Sequence, residues 1–224
     1  MNCVVLLCGC GHRDGSEIRE SVIALIELER LGIDYLCCAP NVSSSEVIDH
    51  VSGTVSASET GRNLLVESAR IARGNIKDIL SIDPQRFDML LFPGGLGVAK
   101  FSSNILDSAG PVSIRKEISD IILGFHSQKK AIGAICISPA VVSAALNGVA
   151  KVSVTLGDES NGNIISRCGG LHVPCDTDNY VVDKENAVFS CPAYMRDDKL
   201  HKIQLGVQKM VGAMYDYTKS RSAS

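Results

Sequence analysis

The chain has 224 residues, 45% of them apolar and 21% charged, with a net charge of −3 and no tryptophan. Such a length suits one α/β domain that buries roughly 70% of the surface its unfolded form exposes, and the composition excludes disorder outside the ends. The slightly negative balance argues against a surface built to neutralise nucleic-acid phosphates.

The first residues, MNCVVLLCGCGH, lack a basic segment and break at glycine. No signal peptide is expected there, and nothing else approaches a membrane span. Nine cysteines, an odd number, are scattered through a chain too large to need stapling. Reduced thiols in a cytoplasmic setting fit them best. Cys8 and Cys10 are separated by one residue and Cys37 and Cys38 by none, whereas zinc pairs have about two to four, so no metal site is expected. Asn41-Val42-Ser43 matches a glycosylation acceptor, a chance match without export.

Asn2 to Cys8 is a short β-branched run ended by glycines, as a buried parallel strand would be. After a loop from Gly9 to Ser16, Ile18, Val22, Leu25 and Ile26 recur at helical spacing, with Gly32 as the stop. Ile33 to Cys38 reads as a second strand. From Asn41 to about Gly74 the chain makes a polar, serine-rich excursion, with a helix over Arg62 to Arg73. Glu59, Arg62, Glu67 and Arg70 are spaced to pair along that helix, which reads as a solvated face or as a polar lid over a pocket.

Asp88 to Phe92 is a third strand running into Pro93-Gly94-Gly95-Leu96-Gly97, and a helix follows over Val112 to Ser127. Ala131 to Ile135 is a fourth strand, with a helix over Pro139 to Leu146 straight after it. Shorter strands are expected at Val152 to Leu156, Gly170 to Val173, Tyr180 to Val182 and Ala187 to Ser190. A last helix covers about Asp197 to Tyr217 and leaves residues 218–224 as a loose tail. Strands alternating with helices predict a doubly wound, mostly parallel sheet within one domain over residues 1–217. Ligands bind beyond the carboxyl ends of such strands, which points to the loops Gly9 to Glu17, Pro93 to Lys100 and Cys136 to Pro139.

Two nucleotide motifs fail in these loops. Gly9, Gly11 and Gly15 are spaced one residue too far apart for the dinucleotide fingerprint, and no acid ends the second strand. Lys100 is followed by Phe101, where a P-loop needs serine or threonine. Glu17 has two readings: a capping box with Asp14 as N-cap, or a functional acid at a strand's carboxyl end. Cys136 also has two. It is a packed core thiol, or a nucleophile raised above the sheet by a strand-to-helix turn, where helix amides lower its pKa and bind an oxyanion. His172 and His12 are possible partners by order and position. His50, His126 and His201 read as structural or exposed.

The segments GCGHRDGSEIRE, TGRNLLVESARIARG, LFPGGLGVAKFSSN, AICISPA, HVPC and CPAYM, in that order, resemble the ElbB branch of the PfpI-like superfamily, also called class I glutamine-amidotransferase-like proteins. The resemblance runs along nearly the whole chain. It implies a three-layer α/β/α sandwich with a flavodoxin-like sheet, commonly a homodimer, with Cys136 as the elbow nucleophile and Glu17 as the acid hydrogen-bonded to it. It also implies an oxyanion pocket from Gly94, Gly95 and Ile137, a glutathione-independent glyoxalase activity without cofactor, and a link with isoprenoid biosynthesis.

Two departures bear on the chemistry. Ile137 stands where protease-like relatives often carry histidine, and His172 is followed by Val173-Pro174-Cys175 where amidotransferases carry a His-Pro-Glu element. Both weaken amide hydrolysis and leave a thiol and an acid suited to carbonyl chemistry. The expected substrate is glyoxal or another small 2-oxoaldehyde. An amidotransferase-like or protease-like hydrolase and a non-enzymatic oxidation sensor are the alternatives.

Overall fold

In the computed structural model, which describes residues 1–58, 61–107 and 110–222, a parallel sheet begins with β1 (Asn2–Leu6). Its residues are apolar on both faces because helices cover both. The chain continues through α1 (Ile18–Arg30), β2 (Asp34–Ala39), a small hairpin of β3 (Ile48–Asp49) and β4 (Thr54–Val55), α2 (Leu64–Ile71) and β5 (Ile76–Asp78). Next come β6 (Met89–Phe92), α3 (Leu96–Ser102), α4 (Lys116–His126), β7 (Ala131–Ile135) and α5 (Ser138–Leu146). The last part holds β8 (Ser153–Val154), α6 (Gly162–Arg167), β9 (Leu171–His172), β10 (Val181–Asp183), β11 (Val188–Cys191) and α7 (Leu200–Ser222).

The main sheet has seven strands in the order β10-β11-β7-β6-β1-β2-β5, all pairs parallel except β10 with β11. β8 and β9 form a separate parallel pair. From β1 the chain winds outward to β2 and β5, then returns to β6 on β1's other side. The strand order therefore reverses between β1 and β6, where a doubly wound sheet opens its crevice. α1 packs on α7 and touches α2 on one side of the sheet, while α3, α4 and α5 pack together on the other. Phe92, Leu6, Met89, Leu90 and Ile132 fill the sheet's centre, with Phe125 and Ile122 brought in by α4.

Several elements differ from the sequence reading. α7 carries on to Ser222, so helix replaces the loose tail expected from residue 218, and residues 223 and 224 lie outside the described residues. Tyr217 packs edge-on against Phe189 and donates its hydroxyl to Lys129 O, which anchors the last turns of α7 to the sheet. β5, the hairpin, α3 and α6 were not expected: the two hairpin strands are two residues each, and β5 is a three-residue edge strand, too short to show a pattern.

The described residues of the Asn41 to Gly74 excursion do not line the large cavity described below; they brace the loop that does. Ile48 N donates to Asp14 Oδ2 at 2.7 Å, Gly9 N donates to Ser68 Oγ at 2.8 Å, and Lys100 of α3 pairs with Glu46. Arg62, just before α2, and Arg70 within it both pair with Glu67, at 3.5 and 3.0 Å. Glu59, the remaining member of that pattern, lies outside the described residues.

Candidate active site

β7 runs Ala131-Ile132-Gly133-Ala134-Ile135, all buried, and delivers Cys136 into a left-handed turn with φ of 61°. Only a few per cent of non-glycine residues accept a positive φ, at a cost of order 1–3 kcal/mol, so surrounding bonds must impose it. They are present. Cys136 N donates to Cys191 O at 3.0 Å, and Ser138 Oγ donates to Pro93 O at 2.8 Å. α5 starts at once, with Pro139 in its first turn, where a missing N–H is no loss. The turn presents the thiol at the sheet's carboxyl edge, beside the loops after β1 and β6.

The acid facing this thiol is Glu20, on the inner side of α1. Its carboxyl hydrogen-bonds the Cys136 thiol and accepts two backbone amides, Gly94 N at 3.0 Å and Tyr194 N at 3.2 Å. Glu17, to which the resemblance gave this contact, is the N-cap of α1 and accepts from Glu20 N at 2.6 Å. Glu17 lies three positions before Glu20, at the helix start, and its carboxyl turns toward the free amides there. Asp14, expected as that cap, instead accepts from Ile48 N.

The oxyanion set also divides. The amides of Gly95 and Ile137 hydrogen-bond the Cys136 sulfur. Gly94, expected beside them, has its N–H committed to Glu20, and its carbonyl accepts Glu17 N at 2.7 Å. A side chain at Gly94 would place a Cβ 2.5 Å from Cys136 Cβ and 2.9 Å from Glu20 Oε2, so glycine here lets acid and thiol meet.

Glu20 is fully buried, and burial followed by the charge of Glu17 pushes its pKa up to about 8. At neutral pH the carboxyl therefore keeps its proton. Burial, then the charge and hydrogen bond of Glu20, push the Cys136 thiol well up, while the Gly95 and Ile137 amides pull it down. A protonated Glu20 removes the repulsion, so at neutral pH a neutral carboxyl lies against a neutral thiol and the two titrate as a coupled pair. Burial also raises Glu17, against the amides of Glu20 and Arg19.

A pH dependence of stability follows. The folded pKa of Glu20 exceeds its ordinary value of 4.5, so the native state binds the extra proton. That stabilisation is full below the ordinary value and is lost as pH rises through about 8. Scanning calorimetry from pH 5 to pH 8.5 should show wild-type stability falling relative to Glu20→Gln, by several kcal/mol at most. Glu20→Gln itself leaves one backbone amide facing an NH2 group, a roughly pH-independent penalty of about 1–3 kcal/mol. Parallel pH curves for the two proteins would show that Glu20 does not titrate in this window.

A cavity of about 680 Å3 opens beside the thiol, lined by Cys136, Ile137, Gly95, Leu96, Glu17 and Ile18 together with His12, Arg19, Tyr194 and Met195. His12 is thus brought to the site. Its ring stands edge-on to His50 at 5.0 Å, Arg13 Nε donates to its Nε2 at 3.3 Å, and burial, His50 and Arg13 lower its pKa. His172 is not brought there; it lies in β9 beside Gly162, and its buried Nε2 has no partner among the described residues. Arg19, Tyr194 and Met195 were missed as site residues, although CPAYM stood out as a segment and carries two of them. Among the described residues, no group of three potential ligands could hold a metal ion, and no helix is long and apolar enough to cross a membrane.

No family model matches the chain. Among curated proteins, the human mitochondrial glutamine amidotransferase-like class 1 domain-containing protein 3 is 35% identical over 96% of this chain and 82% of its own length. The chain belongs to the class 1 glutamine-amidotransferase-like family. Its placement is consistent with the ElbB branch. An Ehrlichia chaffeensis structure, described as an isoprenoid biosynthesis protein with an amidotransferase-like domain, is 48% identical with a TM-score of 0.92, covering 97% of this chain and 99% of that one. Glyoxalase III of Candida albicans, 13% identical with a TM-score of 0.61 over 96% of this chain and 97% of its own, shares the fold. The family's three-layer α/β/α architecture is the one found here.

Proposed function

We propose that this protein is a cofactor-independent cysteine enzyme that converts glyoxal or a related 2-oxoaldehyde into a hydroxy acid. The observation that carries this reading is the strained Cys136 turn, whose sulfur meets the buried carboxyl of Glu20 and the backbone amides of Gly95 and Ile137. No histidine is hydrogen-bonded to the thiol among the described residues, which favours carbonyl addition over amide hydrolysis.

The Cys136 sulfur adds to one aldehyde carbon while Glu20 relays the thiol proton, giving its own to the carbonyl oxygen and taking the one from sulfur, so the hemithioacetal forms with Glu20 again protonated. The Gly95 and Ile137 amides take the developing oxyanion, a contribution of about 3–4 kcal/mol per donor in comparable sites. Glu20 then moves a proton from the sulfur-bearing carbon through an enediol to the neighbouring carbon. The first carbon is oxidised to a thioester while the second is reduced to an alcohol, so no external electron acceptor is needed. Water cleaves the thioester, releases the hydroxy acid and restores the thiol. The name of the Ehrlichia relative supports a link with isoprenoid biosynthesis.

The test is quantitation of glycolate from purified protein and glyoxal, with mass spectrometry of the Cys136 peptide during turnover. Glycolate formation with a transient adduct on Cys136 is expected. Protein that forms neither would end the glyoxalase reading.

A further inference from the structure

The cavity is far larger than a two-carbon dialdehyde requires; at about 680 Å3 it falls in the range, roughly 300–1,000 Å3, of pockets that enclose larger organic ligands. Much of its wall is apolar, from Ile18, Leu96, Ile137 and Met195. One cation lines it. Arg19 Nη1 donates to Tyr194 Oη at 3.0 Å, and Tyr194 N donates to Glu20 Oε1 at 3.2 Å. The guanidinium is thus held by the residue whose backbone holds the acid at the thiol.

The bond to Tyr194 occupies Nη1 and leaves the Nε–Nη2 edge, which has no protein acceptor among the described residues. That edge is the two-donor fork that matches a carboxylate. Glu17, the acidic side chain in the same wall, accepts from Glu20 N at the start of α1 and attracts Arg19 through its charge, with no hydrogen bond to the guanidinium among the described residues. A lysine would supply charge without the fork, and would not be fixed by a tyrosine hydroxyl in the same way.

We propose that the cavity takes a substrate whose reacting carbonyl meets Cys136 and whose far end is a carboxylate on a short apolar chain, with Arg19 as the residue that selects for it. This deepens the carbonyl-enzyme reading and rests on it for the position of the reacting carbon.

Isothermal calorimetry with hexanoate and its neutral isostere hexanamide tests the anion preference without turnover. Wild-type protein is expected to bind hexanoate about fivefold tighter or better, a charge-assisted bond discounted for an exposed arginine. In Arg19→Gln the preference should fall to about one, because the neutral amide cannot supply a cation. Equal binding of the two ligands by wild type, no binding of either, or a preference that survives in Arg19→Gln would overturn the proposal. Since calorimetry needs no reaction, loss of glycolate formation with the preference intact would remove only the glyoxal reading.

Discussion

Replacing Cys136 with serine is expected to lower kcat/KM for glyoxal on the order of 10⁴-fold or more, the scale seen when a covalent nucleophile is removed. Serine keeps the shape and the turn, but its hydroxyl is a far weaker acid and nucleophile than a thiol, and among the described residues no histidine is hydrogen-bonded to the group at this position to activate it. Folding should be unaffected, which circular dichroism would check. Glu20→Gln separates the second role. It removes the transferable proton and is expected to cost about 10²–10⁴-fold. The wild-type profile should fall as pH rises through about 8, where Glu20 gives up its proton, and Glu20→Gln should lack that limb. Steady-state kinetics from pH 5 to pH 10 measures both. Undiminished glycolate formation by Cys136→Ser would exclude covalent catalysis at this residue.

The position of the site was legible because parallel strands buried on both faces announce themselves as short apolar runs. Ala131–Ile135 ends where the sequence placed it, and Cys136 must then begin the turn. The identity of the acid was not legible, for a physical reason. Ile18, Val22 and Ile26 recur at helical spacing but are 46%, 42% and 51% exposed, whereas the inner side of α1 carries Glu20, Ser21, Ala24, Glu27 and Leu28. Periodicity marks the apolar side of a helix, and here two acids occupy the inner side because each has partners. Glu27 is paired with Arg30 at 2.6 Å, and Glu20 is held by the thiol and two amides. The partners of Glu20 come from loops far apart in sequence, so no local pattern reveals them. In the same way, Pro93 to Lys100 reads as a loop, yet Gly95, with φ of 117°, caps α3, which begins at Leu96.

Gly97→Ala is expected to destabilise the protein by at least about 3 kcal/mol and to abolish binding at the cavity. A Cβ at this position would fall within the space of Gly15 N and the Asp14 carbonyl carbon, far inside van der Waals contact, and both obstacles are backbone. No rotamer change relieves such an overlap; α3 and the Gly9 to Ser16 loop would have to separate. That separation would break the bond from Leu96 N to His12 O at 2.6 Å and shift Glu17, whose amide is bound to Gly94 O. Stability and site geometry are thus carried by the same backbone contact. Gly212 supplies the control: it lies inside α7 with open space around its Cβ position, so Gly212→Ala should stabilise by about 0.5–1 kcal/mol through helix propensity. Urea unfolding of both variants, with calorimetric titration of hexanoate into each, decides the matter. A Gly97→Ala protein as stable as Gly212→Ala would mean that the loop after β1 and the start of α3 are not packed backbone against backbone.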